Sequence, residues 1–525
     1  MKILISEPIE LQCVEILKSE GFEVDYKPTM TPDELKQSIG EYAALVVRSA
    51  TKVTAEVIAN ANNMKVIGRA GTGVDNIDIN AATRKGIIVL NVPGGNTVST
   101  AEHSISLLMA LARNIPQAQQ SLKEGRWDRK KYVGVELCGK TLGVVGLGKV
   151  GREVAKRLLG FDMKIIAFDP VLSPQVAATL GVELVDLDTL LRRSDFITIH
   201  TPLTNDTRSL IDARELALCK KSVRIVNCAR GGIVNEKALL DALNAKTIAG
   251  AALDVYEKEP PVGQPIIEHP NVVVTPHLGA STEDAQEKVA VEIAHQVNDV
   301  LKGKDIIGSV NAEIIRQAMR EELHPYLELA EKMGLLTAQL MQGKMSNIHI
   351  QTSGAPVNEV SAAVASAVLK GMLGQILAEP INYLNAPLIA MERGLNVQTT
   401  STGDNKQFHQ LITVSYETDK EKRKFSGTVF GENNMRLVQI DGFNFEIKPE
   451  GHLLFYYNQD KPGMLAAVGA SLAKMKINIA GVSLGRYAPG DQALTIMNID
   501  SILPDEILKQ IEAVDGVSGV KLVNL

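Results

Sequence analysis

Four cysteines, Cys13, Cys138, Cys219 and Cys228, are scattered singly through 525 residues. So few thiols exclude a disulfide scaffold, and no CxxC pair or Cys/His group has the spacing of a metal site, so the expected metal content is none. A reducing cytoplasm is the expected compartment. Basic charge is not in excess either: 55 Lys and Arg stand against 61 Asp and Glu, a net charge of −6. That balance excludes a general attraction to nucleic acid or anionic membrane, so any anionic ligand must be held by a local basic pocket. No apolar run approaches the length of a membrane span. The short apolar start, Met1-Lys-Ile-Leu-Ile-Ser6, reads as a first strand and not as a leader. Low-complexity tracts and fixed-period repeats are missing too. What remains is a globular composition, 45% hydrophobic and 22% charged, on a chain long enough for three to four domains.

The most informative stretch is Val144-Val-Gly-Leu-Gly-Lys-Val-Gly151. Two β-branched residues finish a buried strand, Gly146, Gly148 and Gly151 give G-x-G-x-x-G, and a helical pattern opens at Arg152. In this pattern the first glycine permits the tight turn, the second lets a pyrophosphate approach the backbone, and the third allows helix and strand to pack closely. Free N–H groups and the positive dipole end of the helix face the phosphates. Asp169 closes the next apolar run, near the distance of about 20 residues at which an acid bonds the ribose of a dinucleotide. The spacing therefore predicts dinucleotide binding, with NAD favoured because a carboxylate at this place repels a 2′-phosphate.

Residues 1–98 alternate apolar runs (3–5, 43–47, 65–67, 87–90) with helical stretches (11–20, 54–61), as in a small parallel α/β unit. It holds a decoy for the nucleotide loop, Gly68-Arg-Ala-Gly71-Thr-Gly73-Val-Asp-Asn76, in which Asn76 replaces the third glycine. This is a tight turn, either facing a ligand or purely structural. Residues 99–124 read as one long helix with a capping signal at Ser99, Thr100 and Glu102. Trp127 and the basic run Arg129-Lys-Lys131 follow it. From about 142 to 276 the βα alternation resumes, with later strands at 195–200, 223–227, 248–253 and 271–275. A helical pattern over 281–301 leads back toward the first unit. Residues 305–450 mix helices with alternating strands and hold no catalytic constellation. Residues 452–525 read as strand, helix, strand, strand, helix, strand. The expected division is a discontinuous substrate-binding domain (1–98 and 282–304), an NAD-binding domain (99–281), an intervening domain (305–450) and a terminal domain (452–525).

Ligands of doubly wound sheets bind at the carboxyl ends of strands. Residues just past the later strands are therefore candidates: Thr201, Cys228, Ala229, Arg230, Asp254 and His277. Oxidation of an alcohol beside a carboxylate needs a cation for that carboxylate, a base for the hydroxyl proton and a group that tunes the base. Arg230, in Asn227-Cys-Ala-Arg-Gly-Gly232, offers a fork that suits a planar carboxylate. His277, in Thr275-Pro-His-Leu-Gly279, is the acid/base residue type, and Glu259 is the candidate carboxylate beside it. His200 also ends a strand and competes with His277 for the role on position alone.

At these motifs, together with Leu253-Asp-Val-Tyr-Glu-Lys-Glu-Pro260 and Pro276-His-Leu-Gly-Ala280, the chain resembles the D-isomer-specific 2-hydroxyacid dehydrogenases. The resemblance implies a Rossmann-type NAD domain inserted in a flavodoxin-like substrate domain, followed by two α+β regulatory domains. It implies Arg230, Glu259 and His277 as catalytic residues. It implies cofactor contacts from Thr72, Gly146, Gly148, Lys149, Val150, Gly151, Asp169, Thr201, Cys228, Ala229, Arg230, Asp254, His277, Leu278, Gly279 and Ala280. Val46-Val-Arg-Ser-Ala-Thr-Lys52, Gly68–Asp75, Asn96-Thr-Val-Ser-Thr-Ala-Glu-His103 and Trp127-Asp-Arg-Lys-Lys131 point to the long, regulated members. These imply NAD-dependent oxidation of 3-phospho-D-glycerate, the entry step to serine synthesis, with a side reduction of 2-oxoglutarate. Arg48 and Arg69 would hold the substrate phosphate, with Arg129 reaching across a homodimer or homotetramer. Residues 305–450 resemble the allosteric substrate-binding insert of long members. Residues 452–525 resemble an ACT domain, implying L-serine as effector, with Asp460 and Asn478 as its contacts.

Overall fold

A computed structural model describes residues 1–318, 320–403 and 407–525. Two parallel sheets, each flanked by helices, hold the first 300 residues, and a mostly antiparallel and a fully antiparallel sheet hold the rest. The first sheet runs Glu23–Tyr26, Lys2–Ile5, Ala44–Val47, Val66–Arg69, Ile88–Leu90, all parallel. The inner strands are continuous apolar runs because helices cover both faces. Helix Glu283–Leu301 packs back onto this sheet. Its Val289, Ile293 and Val297 share a core with Ile3, Ile5, Val46 and Val66.

The second sheet runs Val272–Val274, Gly250–Leu253, Arg224–Asn227, Phe196–Ile199, Thr141–Val145, Lys164–Phe168, Glu183–Leu184, again parallel throughout. The strand order reverses between Thr141–Val145 and Phe196–Ile199, so the crevice at their carboxyl ends is the topological switch point. Gly146 and Thr201 sit beside it.

The predicted single helix over 99–124 is two helices, Thr97–Arg113 and Ile115–Lys123. Asn114 between them has φ 52°, the left-handed conformation that Asn tolerates, and Pro116 sits in the first turn of the second helix. The predicted cap at Ser99, Thr100 and Glu102 is not used. The first helix begins after Asn96, while the Ser99 hydroxyl pairs with Thr282 and the Thr100 hydroxyl donates to the Gly279 carbonyl.

Beyond residue 320, strands Met345–Ser353, Leu411–Thr418, Lys422–Phe430, Asn434–Ile440 and Phe443–Ile447 pair antiparallel, and Asn396–Thr402 adds parallel to Met345–Ser353. Helices His324–Leu340 and Ser361–Ile376 cross closely where Gly334 and Gly371 leave no side chain between backbones. The last unit has the expected element order: His452–Gln459, helix Met464–Lys474, Ile479–Arg486, Gln492–Ile499, helix Asp505–Glu512, Val517–Asn524. Among the described residues no helix is long and apolar enough to cross a membrane, and no group of His, Cys, Asp or Glu is placed to hold a metal ion.

Candidate active site

A cleft of about 590 Å³ lies between the two parallel sheets and is lined from both sides. The glycine loop follows strand Thr141–Val145 at its carboxyl end. Gly146 has φ 91°, and a Cβ there would lie 2.8 Å from the His200 carbonyl oxygen. A Cβ on Gly151 would collide with the Gly146 carbonyl, so helix Lys149–Leu159 starts hard against the strand. Gly148 faces open space, with no heavy atom within 4 Å of an added Cβ. Across the crevice the Thr201 hydroxyl is buried without a hydrogen-bond partner among the described residues. Open space over Gly148, an unpaired hydroxyl and a helix N-terminus fit the phosphates of a dinucleotide. Asp169 anchors this loop: its carboxylate accepts from Leu147 N–H at 2.9 Å, Val171 N–H at 3.0 Å and Leu172 N–H at 3.1 Å. Lys149 reaches the Pro93 carbonyl at 2.9 Å, and the Thr72 hydroxyl donates to Asn96 Oδ1 at 2.7 Å. Val150 lies in the first turn of the helix. Cys228 is buried just past its strand, which pushes its thiol up to about 12, so it stays protonated.

His277 stands three residues beyond strand Val272–Val274 with φ 56°, a left-handed backbone that aims it into the cleft. Its Nδ1 donates to Glu259 Oε2 at 3.0 Å, and Glu259 Oε1 accepts from Tyr256 N–H at 3.2 Å. The hydrogen bond from Glu259 raises the imidazole above its ordinary value of 6.5, against the opposing effect of burial. Burial pushes the Glu259 carboxyl up, but the His277 hydrogen bond and charge outweigh it and hold it below the usual range. With Nδ1 committed to Glu259, Nε2 is left to exchange a proton with a ligand. His200 loses the competition: it is bonded to the Thr198 hydroxyl at 2.8 Å, and burial lowers its value to about 4, so it stays neutral.

The loop after His277 is held from below. Asp254, fully buried, accepts from Leu278 N–H at 2.7 Å, Gly279 N–H at 2.9 Å and the Thr275 hydroxyl at 2.6 Å. His103 Nε2 lies 3.1 Å from the same carboxylate. Ala280 then lines the cleft.

Four cations face the cleft: Arg48, Lys52 and Arg69 from the first sheet's loops and Arg230 from the second. Arg230 is oriented by Asn227, whose amide donates to the Arg230 carbonyl at 2.9 Å and accepts from Ala229 N–H at 3.0 Å. Arg69 has a buried Nε with no hydrogen-bond partner among the described residues, and burial together with the nearby Arg230 charge lowers its pKa. The loop carrying Arg48 is clamped by buried Glu7, which accepts the N–H groups of Arg48, Ala50 and Thr51 at 2.9, 2.9 and 2.7 Å. Asn76 of the decoy turn adds bonds to the Arg48 and Thr51 carbonyls at 2.9 and 2.7 Å. The turn is therefore both structural and cleft-facing. Arg129 lies in the turn Arg129–Tyr132, away from the lining of this cleft.

Residues 105–279 match the family description "D-isomer specific 2-hydroxyacid dehydrogenase, NAD binding domain", and residues 322–441 match "D-3-phosphoglycerate dehydrogenase intervening domain". The chain is 44% identical to the D-3-phosphoglycerate dehydrogenase of Archaeoglobus fulgidus, covering 100% of both chains. The chain belongs to the D-3-phosphoglycerate dehydrogenases of the D-isomer specific 2-hydroxyacid dehydrogenase family. It is an NAD-dependent oxidoreductase. The D-3-phosphoglycerate dehydrogenase of Homo sapiens is 46% identical over 96% of each chain. Among solved structures, the D-lactate dehydrogenase of Aquifex aeolicus, complexed with NAD and lactic acid, is 28% identical with a TM-score of 0.51. That match covers 58% of this chain and 96% of that one.

In this dehydrogenase several cleft residues escaped the reading of motifs. Lys52 and Asp75 line the cleft, while Glu7 and His103 act from behind it. Lys52, Asp75 and His103 lie inside motifs that carried the family resemblance, but only tertiary contact gives them roles; Glu7, on the first β-to-α connection, gave no signal at all. The candidate effector residues are far apart within one chain. Asp460 accepts from Arg486 Nη1 at 2.6 Å and from Gly490 N–H at 3.1 Å. Asn478 donates to Asp500 at 2.8 Å, at the opposite end of strand Ile479–Arg486. A strand of that length separates them by roughly 25 Å.

Proposed function

We propose that this dehydrogenase oxidises 3-phospho-D-glycerate to 3-phosphooxypyruvate, the first step of L-serine synthesis by the phosphorylated route, in the cytoplasm. One observation carries this reading: the His277–Glu259 pair and Arg230 line the same cleft as the cations Arg48, Lys52 and Arg69. Such a cleft suits a small substrate with a carboxylate at one end and a second anionic group at the other. NAD, when bound, supplies the hydride acceptor. The residues predicted as cofactor contacts would hold it, Asp254 only indirectly through the N–H groups of Leu278 and Gly279 that it fixes, with Gly148 and the Thr201 hydroxyl toward its phosphates and Asp169 toward its ribose. Arg230 grips the C1 carboxylate by its fork and fixes C2 beside the imidazole. His277 Nε2 takes the C2 hydroxyl proton as the hydride departs, and Glu259 stabilises the imidazolium that forms. Arg48 and Arg69 hold the phosphate, joined by Arg129 from a second copy of the chain. The same cations would accept a distal carboxylate in its place, which accounts for a side reduction of 2-oxoglutarate.

The domain division that fits this chemistry is the one expected above. A flavodoxin-like unit, 1–98 and 282–304, carries the phosphate cations. An inserted Rossmann-type unit, 99–281, carries cofactor and dyad. The unit 305–450 is the intervening domain and 452–525 is ACT-like. Self-association is supported by exposed apolar side chains around Arg129: Trp127 is 75% and Val133 77% exposed. Feedback by L-serine follows if two ACT-like units pair so that Asp460 of one copy meets Asn478 of another. The test is NADH formation from 3-phospho-D-glycerate with and without L-serine. Turnover that serine suppresses supports both halves of the reading. Turnover that serine leaves flat, with no binding by calorimetry, removes the feedback and leaves the terminal unit as a subunit contact.

A further inference from the structure

The cleft contains an anion of its own. Asp75 sits on the turn after strand Val66–Arg69, in the sheet opposite Arg230, and is 71% exposed at its side chain. Its Oδ2 accepts from Arg230 Nε at 3.1 Å, a contact that crosses from one parallel sheet's loops to the other's. Gly73 makes the approach possible, since a Cβ there would collide with the Arg230 guanidinium and lie 2.8 Å from Asp75 Oδ2. Asp75 also offsets Arg69, whose charge is otherwise disfavoured by burial and by Arg230. A carboxylate thus stands on the guanidinium that, in the reading above, takes the substrate carboxylate. Among the described residues it is held by one hydrogen bond, on an exposed side chain, with no second one to fix it.

We propose that Asp75 is the resident counter-anion of Arg230, a specificity-determining residue that a bound substrate carboxylate displaces. In the ligand-free cleft it satisfies Arg230 and lowers the mutual repulsion of Arg230 and Arg69. A ligand enters by exchanging its own carboxylate for that of Asp75. The exchange costs little for a substrate that also delivers a second anionic group to Arg48 and Arg69. It costs proportionately more for a simple monocarboxylate, which brings nothing else. Asp75 therefore raises the threshold against small carboxylates such as acetate or lactate, and it acts through Arg230 without touching the reacting atoms.

This inference rests on the carboxylate-binding reading of Arg230, and the experiment separates the two. Steady-state kinetics are measured for the full-length enzyme and for Asp75→Asn, Asp75→Glu and Arg230→Gln, with 3-phospho-D-glycerate as substrate and acetate as competing anion. In Asp75→Asn, KM for 3-phospho-D-glycerate should fall by about two- to fivefold, the range of an exposed ion pair, with kcat moving less than KM. Inhibition by acetate should strengthen by at least as much, and Asp75→Glu should restore both toward the parent values. A KM that rises in Asp75→Asn, or acetate inhibition that does not strengthen, would overturn the inference, because Asp75 would then be orienting Arg230 and not competing with its ligand. A KM left unchanged by Arg230→Gln would overturn the reading of Arg230 itself, and the inference with it.

Discussion

Asp254 holds the backbone of Leu278, the residue directly after His277, at 2.7 Å, although it is itself fully buried and 24 residues earlier in the chain. The position of the imidazole is therefore set by a carboxylate that never faces the cleft. Asp254→Ala leaves the N–H groups of Leu278 and Gly279 and the ring of His103 without this acceptor. The expected cost is about 2–5 kcal/mol of stability, read from the denaturation midpoint at unchanged slope. A midpoint within experimental error of the parent would show that the loop is held by something else.

His277→Ala removes the group assigned to take the hydroxyl proton. Turnover should fall by about 10² to 10⁴ while NAD affinity, measured by fluorescence titration, changes little. Retained turnover would remove His277 from the mechanism.

Glu259→Gln keeps the hydrogen-bonding shape and removes the charge. Oxidation needs neutral Nε2, so kcat/KM should rise with pH as His277 loses its proton, with a midpoint above the ordinary 6.5 because Glu259 favours the charged ring. Without that charge the proton is lost at lower pH, so the rising limb should move toward acid. A limb that stays in place would mean another group titrates there.

Arg230→Lys retains the charge and loses the fork. KM for the hydroxyacid should rise and kcat fall together, because an ammonium cannot hold a carboxylate in two places and fix C2 at the same time. Parent-like kinetics in this variant would argue against bidentate binding.

Asp169→Ala should raise the NADP-to-NAD ratio of kcat/KM by about tenfold or more, since it removes the repulsion of a 2′-phosphate. The same change frees the N–H groups of Leu147, Val171 and Leu172, so activity with NAD should decline too. An unaltered ratio would place cofactor choice elsewhere.

Much of the fold was legible because its signals are local. The runs at 43–47 and 65–67 are buried strands, and the glycine loop announces its own conformation. Strand Glu23–Tyr26 was not: it is an edge strand, Glu-Val-Asp-Tyr, with no buried face to pattern it. The break at Asn114 was masked because apolar periodicity continues across it, and Pro116 is compatible with a helix start as well as a helix end. His277 and His200 both follow strands, and only tertiary contacts separate them: the Glu259 partner of His277 and the burial of His200. Glu7 and Asp75 act through contacts 41 and 155 residues away, with Arg48 and Arg230, which no spacing rule reaches.

The most direct test of the whole account is the ratio of kcat/KM for 3-phospho-D-glycerate to that for D-glycerate, measured by NADH formation in the parent enzyme and in Arg69→Gln. The account predicts that the parent favours the phosphorylated acid by about 10² or more and that Arg69→Gln loses most of that preference, because the Arg69 guanidinium faces the cleft with a buried Nε that has no hydrogen-bond partner among the described residues and that a phosphate oxygen can pair. A parent enzyme that prefers D-glycerate, or a ratio that Arg69→Gln leaves untouched, would contradict it.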